Sequence, residues 1–376
     1  MREGWTYKKL GEVCKIQYGF AFDSSCFCED NKYPQLIRIR DVVRGYSETY
    51  YNGEIPEGYY VNNGDYLIGM DGEFNIAPWK SEKALLNQRV CKISSSDDTI
   101  LERYIYYQMQ IVLKQIEDET PYVTVKHLSA KKLNSVEFPV PSLSEQQIIV
   151  SELDKINELI SLKKAQLSDL DNLAQSIFYD MFGNLQDDTP LSHFINSLGG
   201  GKSLAGKVPC INKVLKTGAV TYDCFDGNAV KDLPIDYVPL PEHLLKDGDL
   251  LVSRMNTPEL VGSCAYVWKA PDNTYLPDRL WRAVLKQGNN PIYLWFSIIQ
   301  LKAKEQIRTL ASGTSGSMKN ISKPRFLSVK IKNAPLSLQQ EFAKRIELIE
   351  QQKAQISSTI KDLETLLASR MQYWFD

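Results

Sequence analysis

The sequence predicts an α+β protein made of two diverged copies of one plan, joined through two long antiparallel helices related by a pseudo-two-fold axis. Three observations carry that prediction: an internal repeat, a heptad seam in each copy, and short apolar runs broken by turn residues. At 376 residues the chain is long enough for two or three domains.

The repeat comes first, because it fixes the domain order. Shifted by 193 positions, Leu143-Ser144-x-Gln146-Gln147 falls on Leu336-Ser337-x-Gln339-Gln340. Asp169-Leu170, Leu173, Ser176 and Phe182 fall on Asp362-Leu363, Leu366, Ser369 and Phe375. Upstream, Lys126, Ser129, Ser135 and Val136 match Lys319, Ser322, Ser328 and Val329. Beyond that the copies need gaps. Gly64-Asp65-Tyr66-Leu67-Ile68 still resembles Gly248-Asp249-Leu250-Leu251-Val252, and the opening of the second copy from Leu191 matches poorly. The boundaries predicted are a first globular unit over 1–140, a helix over 141–184, a second globular unit over 185–333 and a second helix over 334–376.

The globular units mix short apolar runs with Gly, Pro, Asn and Asp, as in Asn62-Asn63-Gly64-Asp65 and Asp247-Gly248-Asp249. Such segments predict short strands joined by turns. A helix is predicted in each, over Glu102–Ile116 and Ile292–Leu310.

The helical units alternate apolar residues at spacings of four and three, the pattern of a coiled-coil seam. In the first the seam is Ile149, Leu153, Ile156, Ile160, Lys163, Leu167, Leu170, Ala174, Ile177 and Met181. In the second it is Phe342, Ile346, Ile349, Lys353, Ile356, Ile360, Leu363, Leu367, Arg370 and Trp374. Ser144 and Ser337 are the predicted N-caps and Gly183 the predicted stop. Lys163 and Lys353 either fix register or snorkel to the seam edge.

Composition narrows the function class. Hydrophobic residues are 43 % and charged residues 24 %, values of a soluble globular protein. The longest apolar run, Ile292 to Leu301, is too short for a membrane span. The N-terminus has no apolar leader, and seven scattered cysteines fit a reducing cytoplasm. The net charge is −2, but residues 185–333 carry +6, and 301–332 hold eight Lys/Arg against Glu305 alone. That basic stretch is either a nucleic-acid face or a solvated surface.

Catalytic motifs fail one by one. Gly201-Lys202-Ser203 resembles the end of a P-loop, but Asn196 stands where that motif needs glycine. Asn290-Pro291-Ile292-Tyr293 has Ile where the amino-methyltransferase loop has a second Pro, and reads as a helix start. Cys26-x-Cys28 has no partner pair for a metal site. His127, His193 and His243 match no nucleophile or metal template.

The two-copy layout is similar to that of type I restriction–modification DNA specificity subunits. The residues that carry the resemblance are Trp5-x₄-Leu10-Gly11-Glu12-Val13, Gly19-Phe20-Ala21-Phe22, Gly64-Asp65-Tyr66-Leu67-Ile68, Leu86-Asn87-Gln88 and Phe138-Pro139-Val140-Pro141-Ser142-Leu143-Ser144-Glu145-Gln146-Gln147. The resemblance implies two target-recognition domains separated by two long antiparallel coiled-coil helices, each domain reading one half of a bipartite double-stranded DNA target. It implies a non-catalytic subunit with no cofactor of its own. S-adenosylmethionine and ATP would belong to partners: two adenine-N6 methyltransferase subunits and a restriction (translocase/nuclease) subunit.

On that basis the candidate DNA contacts are Arg38, Arg40, Lys80, Gln88, Arg89, Lys126, His127, Lys131 and Lys132 in the first unit. In the second they are Arg254, Asn256, Arg279, Arg282, Lys319, Asn320, Lys323 and Arg325. The loop Ser312–Ser317 would offer backbone amides to phosphates. The alternative function is a coiled-coil interaction scaffold without nucleic acid.

Overall fold

The computed structural model describes residues 4–96, 98–120, 126–315 and 318–375. The chain forms two compact units, Met1–Lys164 with Ser358–Asp376, and Ala165–Ser357. Each unit therefore takes part of both long helices, Leu143–Phe182 and Leu336–Phe375.

In the first unit a four-stranded antiparallel sheet runs in the order Cys14–Tyr18, Val90–Ser95, Tyr66–Gly69, Asn75–Pro78. The helix Glu102–Glu119 covers it with Tyr104, Ile105, Met109, Val112, Leu113 and Ile116. That helix runs one turn beyond the predicted Ile116. A five-stranded sheet has Ala84–Leu86 between its central strand Gln35–Ile37, to which it is parallel, and its edge strand Tyr60–Val61, to which it is antiparallel. All three residues of Ala84–Leu86 are buried, as expected of a strand covered on both faces. Gly19 lies against this strand's end, where an added Cβ would stand 2.0 Å from the Asn87 carbonyl oxygen. The glycine is required by that approach.

The second unit repeats the plan. Its sheet order is Ile195–Gly199, Leu280–Leu285, Leu250–Ser253, Cys264–Tyr266. The one-turn helices Leu10–Val13 and Leu191–Phe194 are equivalent: Leu10 N–H donates to the Val136 carbonyl, and Leu191 N–H to the Val329 carbonyl, each at 2.8 Å. The structure thus aligns an opening that the sequence left unmatched, because the two copies share buried leucines and backbone bonds rather than residue identity. Gly64 and Gly248 hold positive φ, +92° and +84°, in the same turn, and Asp65 and Asp249 each accept a bond from the backbone N–H three residues before, at 2.8 Å.

The predicted helix Ile292–Leu310 is two helices, Pro291–Ile298 and Leu301–Leu310, with extended backbone at Gln300. The first is buried on every side from Ile292 to Ile298, whereas the second buries only Ala303, Lys304 and Ile307. A break allows one segment to enter the core while the next follows the surface. Asn290 caps the first, its Oδ1 accepting from Ile292 N–H (2.9 Å) and Tyr293 N–H (3.2 Å).

The long helices pair antiparallel in both units. In the first, Ile149 and Leu153 pack with Leu367, Met371 and Trp374. In the second, Phe178 and Phe182 stack edge-on against Phe342, with ring centroids 5.5 and 5.4 Å apart. All twenty seam positions are buried or half-buried. Lys353 reaches Asp171 at 2.8 Å and Glu350 at 2.7 Å. Burial pulls its ammonium down, but the two carboxylates outweigh burial and hold it above its ordinary range.

The N-cap of the first long helix is Ser142, not Ser144. Ser142 and Glu145 form a capping box, Glu145 N–H to Ser142 Oγ at 3.3 Å and Ser142 N–H to Glu145 Oε2 at 3.2 Å. In the second, Ser337 lies inside the helix and Pro335 precedes it. Gly183 follows the end of the first helix, its N–H on the Tyr179 carbonyl at 2.7 Å.

The seam also extends one step upstream to residues not read as part of it. Gln146 and Gln339, 0 % and 1 % exposed, are repeat partners. Gln146 Oε1 accepts from Leu101 N–H and Gln339 Oε1 from Asn290 N–H, both at 2.8 Å. Leu101 and Asn290 are the N-cap residues of Glu102–Glu119 and Pro291–Ile298. Each glutamine therefore fastens a long helix to the first turn of its unit's core helix.

Candidate nucleic-acid interface

One junction of three chain segments occurs in both units, and it gathers many of the candidate residues. In the second unit the chain leaves the strand Leu250–Ser253 at Arg254. Arg254 N–H donates to the Arg279 carbonyl at 3.1 Å, and Ile321 N–H to the Arg254 carbonyl at 3.0 Å. Met255 pairs with Asn320 and Asn256 with Lys319 in a short antiparallel ladder. Five candidates, Arg254, Asn256, Arg279, Lys319 and Asn320, thus meet at one corner.

In the first unit Met70 N–H donates to the Arg89 carbonyl at 3.0 Å, and Leu128 N–H to the Met70 carbonyl at 2.8 Å. Asp71 bridges to His127, and Gly72 N–H reaches the Lys126 carbonyl at 2.9 Å. Position by position, Met70 stands for Arg254, Asp71 for Met255, Arg89 for Arg279, Lys126 for Lys319 and His127 for Asn320. The last two pairs keep the repeat offset of 193.

The chemistry of the two corners differs. In the first, Asp71 Oδ1 takes His127 Nδ1 at 2.6 Å and Asp71 Oδ2 takes Arg89 Nε at 3.4 Å. Lys126 Nζ donates to the Glu117 carbonyl at 2.5 Å. In the second, Met255 replaces the acid. Among the described residues Arg254, Arg279 and Lys319 make no ion pair, so the backbone of this corner gathers three cationic residues with no carboxylate paired to them. Like charges held close disfavour one another unless an anion joins them. A polyanionic backbone is one such anion.

The remaining candidates divide into neighbours and outsiders. Gln88 is exposed beside Arg89, its N–H on the Phe20 carbonyl at 2.8 Å. Lys131 and Lys132 lie in the one-turn helix Ala130–Asn134 just past His127, and Lys132 faces Glu119 at 3.7 Å. Lys323 and Arg325 occupy the equivalent helix, Lys323–Leu327, both exposed, with Arg325 donating to the Leu310 carbonyl at 3.2 Å.

Arg38, Arg40 and Lys80 form a separate group at the one-turn helix Asp41–Arg44, whose Asp41 carboxylate is buried. Asp41 accepts from Arg38 N–H at 2.8 Å and faces Arg40 at 3.8 Å, and Lys80 N–H donates to the Gly45 carbonyl at 3.0 Å. Arg44, which the sequence reading missed, joins them, 4.0 Å from Asp41. Only its place four residues after Arg40 could have suggested it.

Arg282 lies apart from that corner. It lies inward from the strand Leu280–Leu285, donating to the carbonyls of Glu242 (2.7 Å) and Leu244 and to Asp249 (2.6 Å). The segment read as a loop from Ser312 is a strand, Ser312–Ser315, paired with Met318–Asn320, so its first amides serve that ladder. Gly316 and Ser317 lie outside the described residues. Cys26 and Cys28 are half-buried free thiols, and no three His, Cys, Asp or Glu side chains cluster as a metal set among the described residues. Burial pushes the Cys91 thiol up to about 12. No helix among these residues is long and apolar enough to cross a membrane.

Residues 2–172 match the family model described as the type I restriction modification DNA specificity domain. The chain is 44 % identical over 170 residues to the EcoBI type I restriction enzyme specificity subunit of Escherichia coli, covering 45 % of this chain and 36 % of that protein. The chain thus spans about a third of that relative. It is 23 % identical over 401 residues to the MjaVIII specificity subunit of Methanocaldococcus jannaschii, covering 97 % and 92 %. The fold resembles the crystal structure of the type I system S subunit from M. genitalium, with a TM-score of 0.57 and 12 % identity over 99 % of this chain and 96 % of that one. Residues 2–172 thus match the type I restriction modification DNA specificity domain, and the fold of the whole chain is similar to that of a type I S subunit.

Proposed function

We propose that the two units each read one half of a split double-stranded DNA target, and that the long helices carry the adenine-N6 methyltransferase and restriction subunits. S-adenosylmethionine and ATP are then used on those partners, in the cytoplasm. The observation that carries this reading is the duplicated corner. Equal backbone positions hold Met70, Asp71, Arg89, Lys126 and His127 in one unit and Arg254, Met255, Arg279, Lys319 and Asn320 in the other. A shared frame with exchanged side chains suits two half-sites of different sequence.

Mobility shift on duplex DNA, with and without a methyltransferase subunit of the same system, tests the reading. Each lost phosphate contact lowers the log–log salt slope by about 0.9. Replacing Lys319, Lys323 and Arg325 by Ala should lower it by up to about three such steps. An unchanged slope would move the DNA face elsewhere. For the split target, one heptad inserted into each long helix, near Gln166 and Thr359, keeps the seam and adds about 10 Å. Methylation mapping should then show a longer gap or no specific modification. Efficient modification at the original gap would refute the helices as the ruler.

A further inference from the structure

Within the second corner two polar atoms are buried and lack a hydrogen-bond partner, Arg254 Nε and Asn320 Oδ1. Unpaired buried polar groups are uncommon and each is costly. Here a donor and an acceptor are both left open on neighbouring segments, since Ile321 N–H is bonded to the Arg254 carbonyl and Asn320 pairs with Met255. Arg254 is also steadied, its guanidinium carbon 6.0 Å from the centroid of the buried Trp281 ring. A restrained guanidinium loses little side-chain freedom when it binds.

Resting on the proposed function, we propose that Arg254 and Asn320 are the base-reading pair of the second unit, and that their ligand is two neighbouring purine edges in the major groove. A guanidinium fork fits guanine O6 and N7, and a carboxamide fits adenine N6 and N7. Arg279 and Lys319, beside them and without ion pairs among the described residues, supply phosphate contacts. The first unit has Met70 in place of Arg254 and cannot make the guanine contact from that position. Its corner reads through Arg89 and His127, both held by Asp71.

The test is selection of a duplex library, randomised in both half-sites with several gap lengths, by the full chain together with a methyltransferase subunit. The wild-type chain should return a two-part consensus. Arg254→Lys keeps the charge and loses the fork. It should relax one guanine position in a single half-site by roughly 5- to 150-fold while leaving the other half-site and the salt slope unchanged. Asn320→Ala should relax an adjacent adenine in the same half-site. Lys323→Ala should weaken all sequences alike. An unchanged consensus in Arg254→Lys overturns the pair, and so does a uniform loss of affinity, which would make Arg254 a phosphate contact. Should Arg254→Lys fail to fold, Asn320→Ala still decides. No consensus from the wild-type chain would sink the proposed function itself, and this pair with it.

Discussion

At Asp65 the first unit closes its turn on Lys92, and at Asp249 the second closes the equivalent turn on Arg282. Lys92 Nζ sits 3.3 Å from Asp65, with both side chains more than a fifth exposed. Arg282 sits 2.6 Å from Asp249, their side chains 15 % and 11 % exposed, and it also satisfies two carbonyls. The same turn is therefore a longer, more open ion pair in one copy and a shorter, more enclosed one with added carbonyl bonds in the other. The cores differ in the same sense. Four rings, Phe178, Phe182, Tyr293 and Phe342, pack together in the second unit, where the first keeps two, Phe375 and Tyr104, and has Met371 and Ile149 in place of Phe178 and Phe342. Repeat plans conserve backbone placement and let burial choose the chemistry.

That contrast is breakable. Arg282→Met should destabilise the second unit by about 3–5 kcal/mol, the cost of leaving a buried charge without its partner. Lys92→Met should cost the first unit about 1.5–3 kcal/mol at most, the worth of hydrogen bonds to charged groups. Hydrogen exchange read separately for the two units measures both, since one global midpoint is ill-defined for a two-unit chain. Equal losses would remove the distinction. DNA affinity at the second half-site, measured where Arg282→Met is folded, should be unchanged.

The glutamine clamps should behave alike where the ion pairs do not. Gln146→Ala and Gln339→Ala each strand one buried N–H, at about 1–3 kcal/mol. Exchange should accelerate first at the N-terminal turns of Glu102–Glu119 and Pro291–Ile298, respectively. Loss confined to one of the two would show that the clamp is not a shared device.

The smallest effect concerns acid. Arg370 donates two bonds to Glu152 in the first unit, NH2 to Oε2 at 3.1 Å, and Trp374 adds one at 2.8 Å. The Arg370 bonds hold the Glu152 carboxyl below its ordinary range, against a smaller upward push from burial. A lowered folded value gives stability that is present above the unfolded glutamate value, about 4.3, and lost as pH falls through the folded one. Replacing Arg370 by Met should flatten that acid-side fall in the first unit and leave the second unit's pH profile alone. An unaltered profile in the first unit would mean the bond is not formed in solution.

By itself the sequence determined the two-copy order, the strand-and-turn texture of each unit and the heptad phase of both long helices. These are local or periodic signals: a spacing of four and three places every seam residue inward, whatever surrounds it. Gln146 and Gln339 were visible as repeat partners, yet their burial was not, because a polar side chain is buried only where backbone groups stand ready to bond it. The break at Gln300 escaped for a similar reason, since an apolar run longer than one helix reads as continuous until packing divides it. Only the tertiary structure decided that Arg254, Arg279 and Asn320 share a corner while Arg282 turns inward. All four are ordinary polar residues in sequence, and their neighbours are brought to them by strand pairings 25 to 66 residues away along the chain. Long-range register, which no local pattern encodes, assigns each of them to surface or core.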